Sequence, residues 1–121
     1  MEASQHDRLV AKISHLPHVV AAALVEVAFC EGTEAASLAG PGFFDSTRIA
    51  AGAPEMWAEI LLENRVGVAA ELKSLRAKLD EVLVFLDDMD EEGLLLFLTT
   101  AKDRRDSMPP TGSLVTRVQK D

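Results

Sequence analysis

Cysteine and aromatic residues are scarce in this chain of 121 residues. It has one cysteine, one tryptophan, five phenylalanines and no tyrosine. A single cysteine, Cys30, excludes an intrachain disulfide and is typical of a reducing compartment, so we expect a cytoplasmic protein. Apolar residues still make up 48% of the chain, with alanine and leucine dominant. This composition argues against wholesale disorder and favours helices over a sheet.

Positive charge is also in short supply. Twelve Lys and Arg residues stand against 20 Asp and Glu residues, which gives a net charge of −8. This excess of acid argues against binding to nucleic acid and against docking on an anionic membrane surface. The polar N-terminus is no signal peptide, and Glu26 interrupts the most apolar stretch, residues 19–30. We therefore expect a buried helix there rather than a membrane span.

Two kinds of ligand-binding motif are missing. The sequence has no G-x-G-x-x-G and no Walker loop, and its glycines at 40 and 42 lack the spacing of a phosphate-binding loop. The acidic run at residues 87–92 lacks the glycine and the ligand spacing of an EF-hand. We expect those acids to stabilise a helix N-terminus, and we expect this chain alone to bind no dinucleotide.

The spacing of apolar residues predicts an all-α fold, because they recur every three or four positions over long stretches. Pro17 predicts a kink in the first helix, Gly52 ends the second, and Asp88 or Asp90 caps the last. The predicted helices are, in chain order, a long one over residues 4–31, a short one over 43–51, a second long one over 55–87 and a last one over 88–107.

The second long helix carries a seam of apolar residues spaced by 3, 4, 3 and 4, which is typical of a coiled coil. Its members are Leu72, Leu75, Leu79, Val82 and Leu86. Helices of about 30 residues are roughly 45 Å long at 1.5 Å per residue, which exceeds the width of a globule of this size. We therefore expect a homodimer in which the helices intertwine.

Ser14–His18 is the most unusual segment. His15 and His18 lie three residues apart, so both occupy one face of a helix, and Pro17 between them loosens the backbone. A metal site would need a third ligand, for which His6 and Glu26 are the nearest candidates. The alternative is two capped or solvated histidines on a kinked helix.

Arg48 stands among apolar and hydroxylic neighbours just before a turn. Its planar guanidinium can bind a carboxylate through two parallel hydrogen bonds. It could equally form a structural ion pair with Asp45 or Glu55. The one tryptophan, Trp57, opens the second long helix, where a core position and a ligand contact both remain open.

Several segments, taken in order, resemble one enzyme family. They are His6–Arg8, Ser14–His18 with its continuation to Ala23, Gly42–Ala50, Pro54–Trp57 and Glu63–Arg65. Together they span roughly residues 6–108 and resemble the C-terminal helical domain of the prephenate and arogenate dehydrogenases of tyrosine biosynthesis. The resemblance implies a dimerisation and substrate-cleft domain over residues 1–108, and a tail or linker over residues 109–121.

The same resemblance implies roles for individual residues. Arg48 matches the family's substrate-binding arginine, and His18 matches a histidine that faces the same cleft. Trp57 matches a neighbouring position, and His15 and Thr47 do so more weakly. In such enzymes a Rossmann domain binds NAD or NADP and supplies the catalytic histidine. Because that domain is missing here, we expect no catalytic or cofactor-binding residue in this chain, and no activity from it alone. We also expect no metal-binding residue, since His15 and His18 lack a paired acidic motif.

The reaction is implied by the resemblance as well. Prephenate or arogenate gives a hydride from its carbinol carbon to the nicotinamide, the hydroxyl loses its proton, carbon dioxide departs and the ring becomes aromatic. In this reaction the chain would bind a carboxylate of the substrate. The chain itself would be a cloned fragment, a proteolysis product or a split gene product. Two other functions stay open: a non-catalytic helical interaction module, and a metal-binding bundle that uses His15 and His18.

Overall fold

A computed structural model of the chain describes residues 1–109. These residues form helices and no strand, which confirms the all-α prediction. The α-helices are α1 (Ala3–Val10), α2 (Leu16–Phe29), α3 (Pro41–Thr47), α4 (Pro54–Glu63), α5 (Arg65–Asp87) and α6 (Glu91–Asp106). Shorter helical segments are a π-helix at Ala11–His15 and 3-10 turns at Glu34–Leu38 and Arg48–Ala51. Residues 110–121, which make up most of the predicted tail, lie outside the described residues.

The chain divides into two compact units, Met1–Arg76 and Ala77–Asp121. The first unit holds every residue that the sequence suggests for a binding site. The second unit, described as far as residue 109, contains the end of α5 and all of α6. The predicted domain boundary at residue 108 stays a prediction.

The irregularity predicted in the first helix takes the form of a wide helical turn. Between Ala11 and His15 the backbone is π-helical, and the Leu16 N–H donates to the Ala11 carbonyl five residues earlier. Pro17 follows directly; it has no N–H to donate, and in a regular helix its ring would crowd the carbonyl of Ile13. A wider turn relieves that conflict, and turns of this kind are frequent at functional sites.

The second long helix is divided, and the prediction of one continuous helix over residues 55–87 is wrong. Asn64, with φ −111° and ψ 32°, separates α4 from α5. Its side chain donates to the Asp7 carbonyl and contacts the His15 ring. Asparagine is a poor helix former because its amide makes hydrogen bonds that compete with the regular helical ones.

The other helix ends follow local rules. The helix predicted over residues 43–51 is α3 plus a 3-10 turn, and it ends at Gly52 as predicted. Of the two candidate caps for α6, Asp90 is the one used, since its Oδ1 accepts a hydrogen bond from the Gly93 N–H at 2.9 Å. Met89, just before it, has a φ of 51°, so the turn from α5 to α6 includes one residue in the left-handed region.

Very little apolar surface is buried within one protomer. In the described part of the chain the buried apolar residues are Ala11, Ala21 and Val68. Larger side chains on the same helices are open, and Ile13 and Val66 are 77% and 80% exposed. By length and composition the continuous helix Ala3–Phe29 could also cross a membrane, although core helices of soluble proteins meet the same criteria.

Candidate functional site

His18 of α2 and Trp57 of α4 stack face to face. Their ring centroids are 3.8 Å apart and their planes differ by 12°. Because α4 begins at Pro54, Trp57 lies in its first turn. His18 is 8% exposed, and the indole covers one face of its ring. Two of the predicted site residues, almost 40 positions apart in sequence, are thus in direct contact.

Gly52 makes this stacked arrangement possible. A Cβ at that position would lie 3.0 Å from Trp57 Nε1 and 3.2 Å from His18 Cε1, which is tighter than ordinary contact. Its φ of −63° is open to any residue, so the requirement for glycine here is one of space. Sequence reasoning assigned Gly52 only to ending a helix.

His15 joins the same cluster from the π-helical turn. Its ring meets Trp57 edge to face, with centroids 6.2 Å apart and planes at 83°, and the residue is buried. His15 Nδ1 lies 3.2 Å from Asn64 Nδ2. Sequence reasoning placed Asn64 inside a family segment without giving it a role; an asparagine in the middle of a predicted helix was the available signal.

Arg48 is exposed at the start of the 3-10 turn that follows α3. Among residues 1–109 its side chain forms no hydrogen bond or ion pair, so neither Asp45 nor Glu55 holds it. The turn packs against α2, which carries His18, and ends at Gly52. Arg48 is thus linked to the aromatic cluster through a short segment of backbone.

Thr47 uses its hydroxyl proton within its own helix, where Oγ1 donates to the Phe43 carbonyl at 2.7 Å. The oxygen keeps its capacity to accept a hydrogen bond, but the proton is not available to a ligand in this arrangement. Of the five predicted site residues, the structure therefore brings His15, His18 and Trp57 into contact and leaves Arg48 and Thr47 on the adjoining segment.

The chemistry available at this cluster is hydrogen-bond donation to an anion. His18 makes no side-chain hydrogen bond to residues 1–109, yet no side-chain nitrogen or oxygen in that part is both buried and without a partner. The ring nitrogens of His18 therefore reach the surface. Imidazole and guanidinium N–H groups are both suited to a carboxylate.

A metal site finds no support in the described part of the chain. No group of three His, Cys, Asp or Glu side chains converges there. His6, a candidate third ligand, lies instead 3.8 Å from the carboxylate of its neighbour Asp7 and is exposed. Both rings that would bind the metal, those of His15 and His18, contact Trp57.

The second unit contains a groove of its own, with a volume of about 320 Å³. Its walls include Phe85, Leu96 and Phe97, with Lys78 and Arg104 among the polar residues. None of the predicted site residues lines it.

The residues present do not fit a dinucleotide in the Rossmann manner. That mode needs a strand followed by a glycine-rich loop and a helix. Residues 1–109 contain no strand, and the sequence has no such loop.

The described residues form a helical domain with exposed apolar helix faces and a cluster of two histidines and one tryptophan. A family model described as "Prephenate dehydrogenase, dimerization domain" matches residues 2–100. The chain belongs to this family, which confirms the resemblance found in the sequence.

The similar proteins are longer dehydrogenases. Prephenate dehydrogenase of Bacillus subtilis is 36% identical over 112 residues, which cover 90% of this chain and 30% of that protein. Among solved structures, prephenate dehydrogenase from A. aeolicus, in complex with hydroxyphenyl propionate and NAD+, has a TM-score of 0.82 at 33% identity. Arogenate dehydrogenase from Synechocystis has a TM-score of 0.81 at 28% identity. These matches cover 90% and 88% of this chain, and 39% and 40% of those chains.

This chain therefore spans about a third of the length of the curated relative, and the matching part lies toward the C-terminus of such proteins.

Proposed function

We propose that this chain forms the dimerisation domain and one wall of the substrate cleft of a prephenate or arogenate dehydrogenase. The observation that carries the proposal is the His18–Trp57 stack, with exposed Arg48 on the turn that packs against the helix of His18, within a segment that matches the family. The two solved relatives support it, since one is named for arogenate and the other, named for prephenate, was crystallised with hydroxyphenyl propionate and NAD+.

Within this cleft, Arg48 binds a substrate carboxylate. Prephenate carries two carboxylates, and the planar guanidinium can hold one of them through two parallel hydrogen bonds. His18 donates a further hydrogen bond from a ring nitrogen at the surface. Trp57 keeps the imidazole in place by covering its face.

Hydride transfer belongs to a nucleotide-binding domain that this sequence does not contain. NAD or NADP accepts the hydride there, and that domain supplies the general base. The role of this chain is to orient the substrate and to exclude water from one side of it. Such an enzyme works in the cytoplasm, which agrees with the single, exposed and unpaired Cys30.

We infer that a second copy of the chain covers the exposed apolar helix faces, since the matching family model describes a dimerisation domain. Contiguous apolar patches of more than a few hundred Å² usually mark an interface. The helix Ala3–Phe29 carries Lys12, His15, His18 and Glu26, and its histidines pack on Trp57. A protein partner suits this helix better than lipid, since a charged side chain costs about 3 kcal/mol at a bilayer centre.

The dehydrogenase proposal is tested with a chimera in which this chain replaces the matching C-terminal segment of the Bacillus subtilis enzyme. NADH or NADPH formation is followed at saturating cofactor with prephenate and with arogenate. We expect activity with one of these substrates that the unmodified 121-residue chain does not show. A folded chimera that turns over neither substrate contradicts the proposal and favours a non-catalytic interaction module.

A further inference from the structure

The side-chain amide of Asn64 connects the break between α4 and α5 to two groups on the first helix. Its Nδ2 lies 2.8 Å from the Asp7 carbonyl oxygen and 3.2 Å from His15 Nδ1. These partners flank the π-helical turn, since Asp7 precedes it and His15 ends it. One amide thus bonds to both sides of the irregular turn.

The contact with Asp7 fixes which end of the amide is nitrogen. A backbone carbonyl can only accept hydrogen bonds, so the side-chain atom 2.8 Å from it must be the NH₂ group. That group has two hydrogens, and with one on the Asp7 carbonyl the other can bond to His15 Nδ1, 3.2 Å away. His15 Nδ1 must then offer a lone pair, because two donors cannot share a hydrogen bond.

A neutral imidazole whose Nδ1 accepts a hydrogen bond carries its proton on Nε2. We propose that Asn64 is a positioning residue that holds His15 as the Nε2–H tautomer and so aims a hydrogen-bond donor beside the His18–Trp57 pair. The recipient is an anionic ligand group, and this part of the inference rests on the proposed function. The tautomer itself does not.

The surroundings of His15 suit this role. Its Nε2 makes no hydrogen bond to residues 1–109, and since no buried side-chain nitrogen there lacks a partner, Nε2–H reaches the surface. The ring's edge-to-face contact with Trp57 places that donor in the same cluster as His18. Gly67 leaves room for the amide, because a Cβ there would lie 2.9 Å from Asn64 Oδ1.

The test is the nitrogen NMR signature of the ring in the 121-residue chain, at a pH where the neutral imidazole predominates. Exposed His6, whose Nδ1 lies 3.8 Å from the Asp7 carboxylate, provides an internal reference for a histidine that faces a carboxylate in place of an amide. In the unaltered chain we expect His15 to show an unprotonated Nδ1 and a protonated Nε2. If Nδ1 carries the proton, the proposal is overturned without any variant.

Asn64→Asp gives the sharpest contrast, because an ionised carboxylate can only accept and should draw the proton to His15 Nδ1. We expect this inversion of the tautomer, and a mixture in Asn64→Ala. The matched control is Ser74→Ala on α5. Like Asn64, Ser74 donates a side-chain hydrogen bond to a backbone carbonyl, but its partner is Ala70 on the same helix. An unchanged His15 signature in Asn64→Asp overturns the proposal.

Gly67→Ala is a second variant that keeps the amide but displaces it. Alanine favours a helix more than glycine does, so a loss of folding is not expected from propensity. We expect the preference for Nε2–H to weaken in this variant as well. If Gly67→Ala keeps the full preference for the Nε2–H tautomer of His15, the position of the Asn64 amide does not set that tautomer.

The chimera separates this inference from the proposed function. There, Asn64→Asp should raise the KM for substrate about tenfold while kcat changes less, because a lone pair on Nε2 now faces the anion. If the tautomer inverts and KM is unchanged while Arg48→Ala still raises it, the role of His15 as donor is wrong and the proposed function stands. If the unaltered chimera has no activity but the tautomer inverts, the proposed function fails and the positioning by Asn64 is supported.

Discussion

The imidazole of His18 lies flat against the indole of Trp57, with 3.8 Å between the ring centroids. Trp57 is the only tryptophan, and the chain has no tyrosine, so its emission reports on the cluster of Trp57 with His15 and His18. The stack links α2 to α4 and fixes the face on which the ring nitrogens of His18 are presented.

Removing the imidazole should uncover one face of the indole. In His18→Ala we expect red-shifted Trp57 emission and stronger quenching by acrylamide. We also expect the free energy of unfolding to fall by about 0.5–1.5 kcal/mol for the lost ring contact, in addition to the loss from the smaller buried apolar area. The control is His6→Ala, since His6 is exposed and contacts no aromatic ring in the described residues. Identical spectra for the two variants would mean that the stack does not exist in solution.

Filling the space at Gly52 should disturb the same pair. Because a Cβ there approaches Trp57 Nε1 to 3.0 Å, we expect Gly52→Ala to lower the free energy of unfolding by about 1–3 kcal/mol and to shift the Trp57 emission. Gly42→Ala is the control, because nothing lies within 4 Å of a Cβ at that position on α3. Chemical denaturation of both variants makes the comparison, and equal stability would refute the packing requirement.

The cap of α6 gives a prediction in the second unit. Asp90 accepts a hydrogen bond from the Gly93 N–H, and replacing such a cap by alanine typically costs about 1 kcal/mol. We expect Asp90→Ala to lower the thermal midpoint, and Asp88→Ala, an exposed neighbour outside the cap, to leave it almost unchanged. The reverse order would show that Asp88 is the residue that caps the helix.

The apolar seam on α5 should hold two protomers together. Leu79 and Leu86 are each more than half exposed in one protomer, as expected for residues that a second copy covers. Leu79→Glu should weaken the dimer about tenfold or more, equivalent to at least 1.4 kcal/mol, whereas Ser74→Glu, off the seam on the same helix, should not. Sedimentation at micromolar concentration measures both. A mass of 13.1 kDa for the unaltered chain, independent of concentration, would contradict the dimer.

Local patterns were sufficient to predict most of the fold. Apolar spacing located the helices, Gly52 marked a helix end that the structure confirms, and Asp90 is one of the two caps predicted for the last helix. The break at Asn64 was missed because it depends on hydrogen bonds to Asp7 and His15, 57 and 49 residues away in sequence. No periodicity within a helix carries that information.

The sequence indicated which residues belong to the candidate site, but it did not indicate how they are arranged. The resemblance selected His18, Trp57 and Arg48, but residue spacing could not show that the two rings stack or that Gly52 makes room for them. The proposed role of Asn64 depends on hydrogen bonds from its side-chain amide to Asp7 and His15, and a single sequence does not reveal such distant contacts. The roles of these residues toward a substrate stay predictions.

The most direct test of the account is the effect of Arg48→Ala on the chimera, with thermal stability measured on the same samples. Arg48 has no partner among residues 1–109, so its loss should move the thermal midpoint by no more than a few degrees. Substrate binding should weaken by about 2–4 kcal/mol, the range for losing one member of a desolvated charge pair. Arg48→Lys should recover part of this, because a point charge replaces the planar fork incompletely, and Arg105→Ala should change neither quantity. An Arg48→Ala variant that unfolds, or that keeps the KM of the unaltered chimera, would contradict the assignment of Arg48 as the carboxylate ligand.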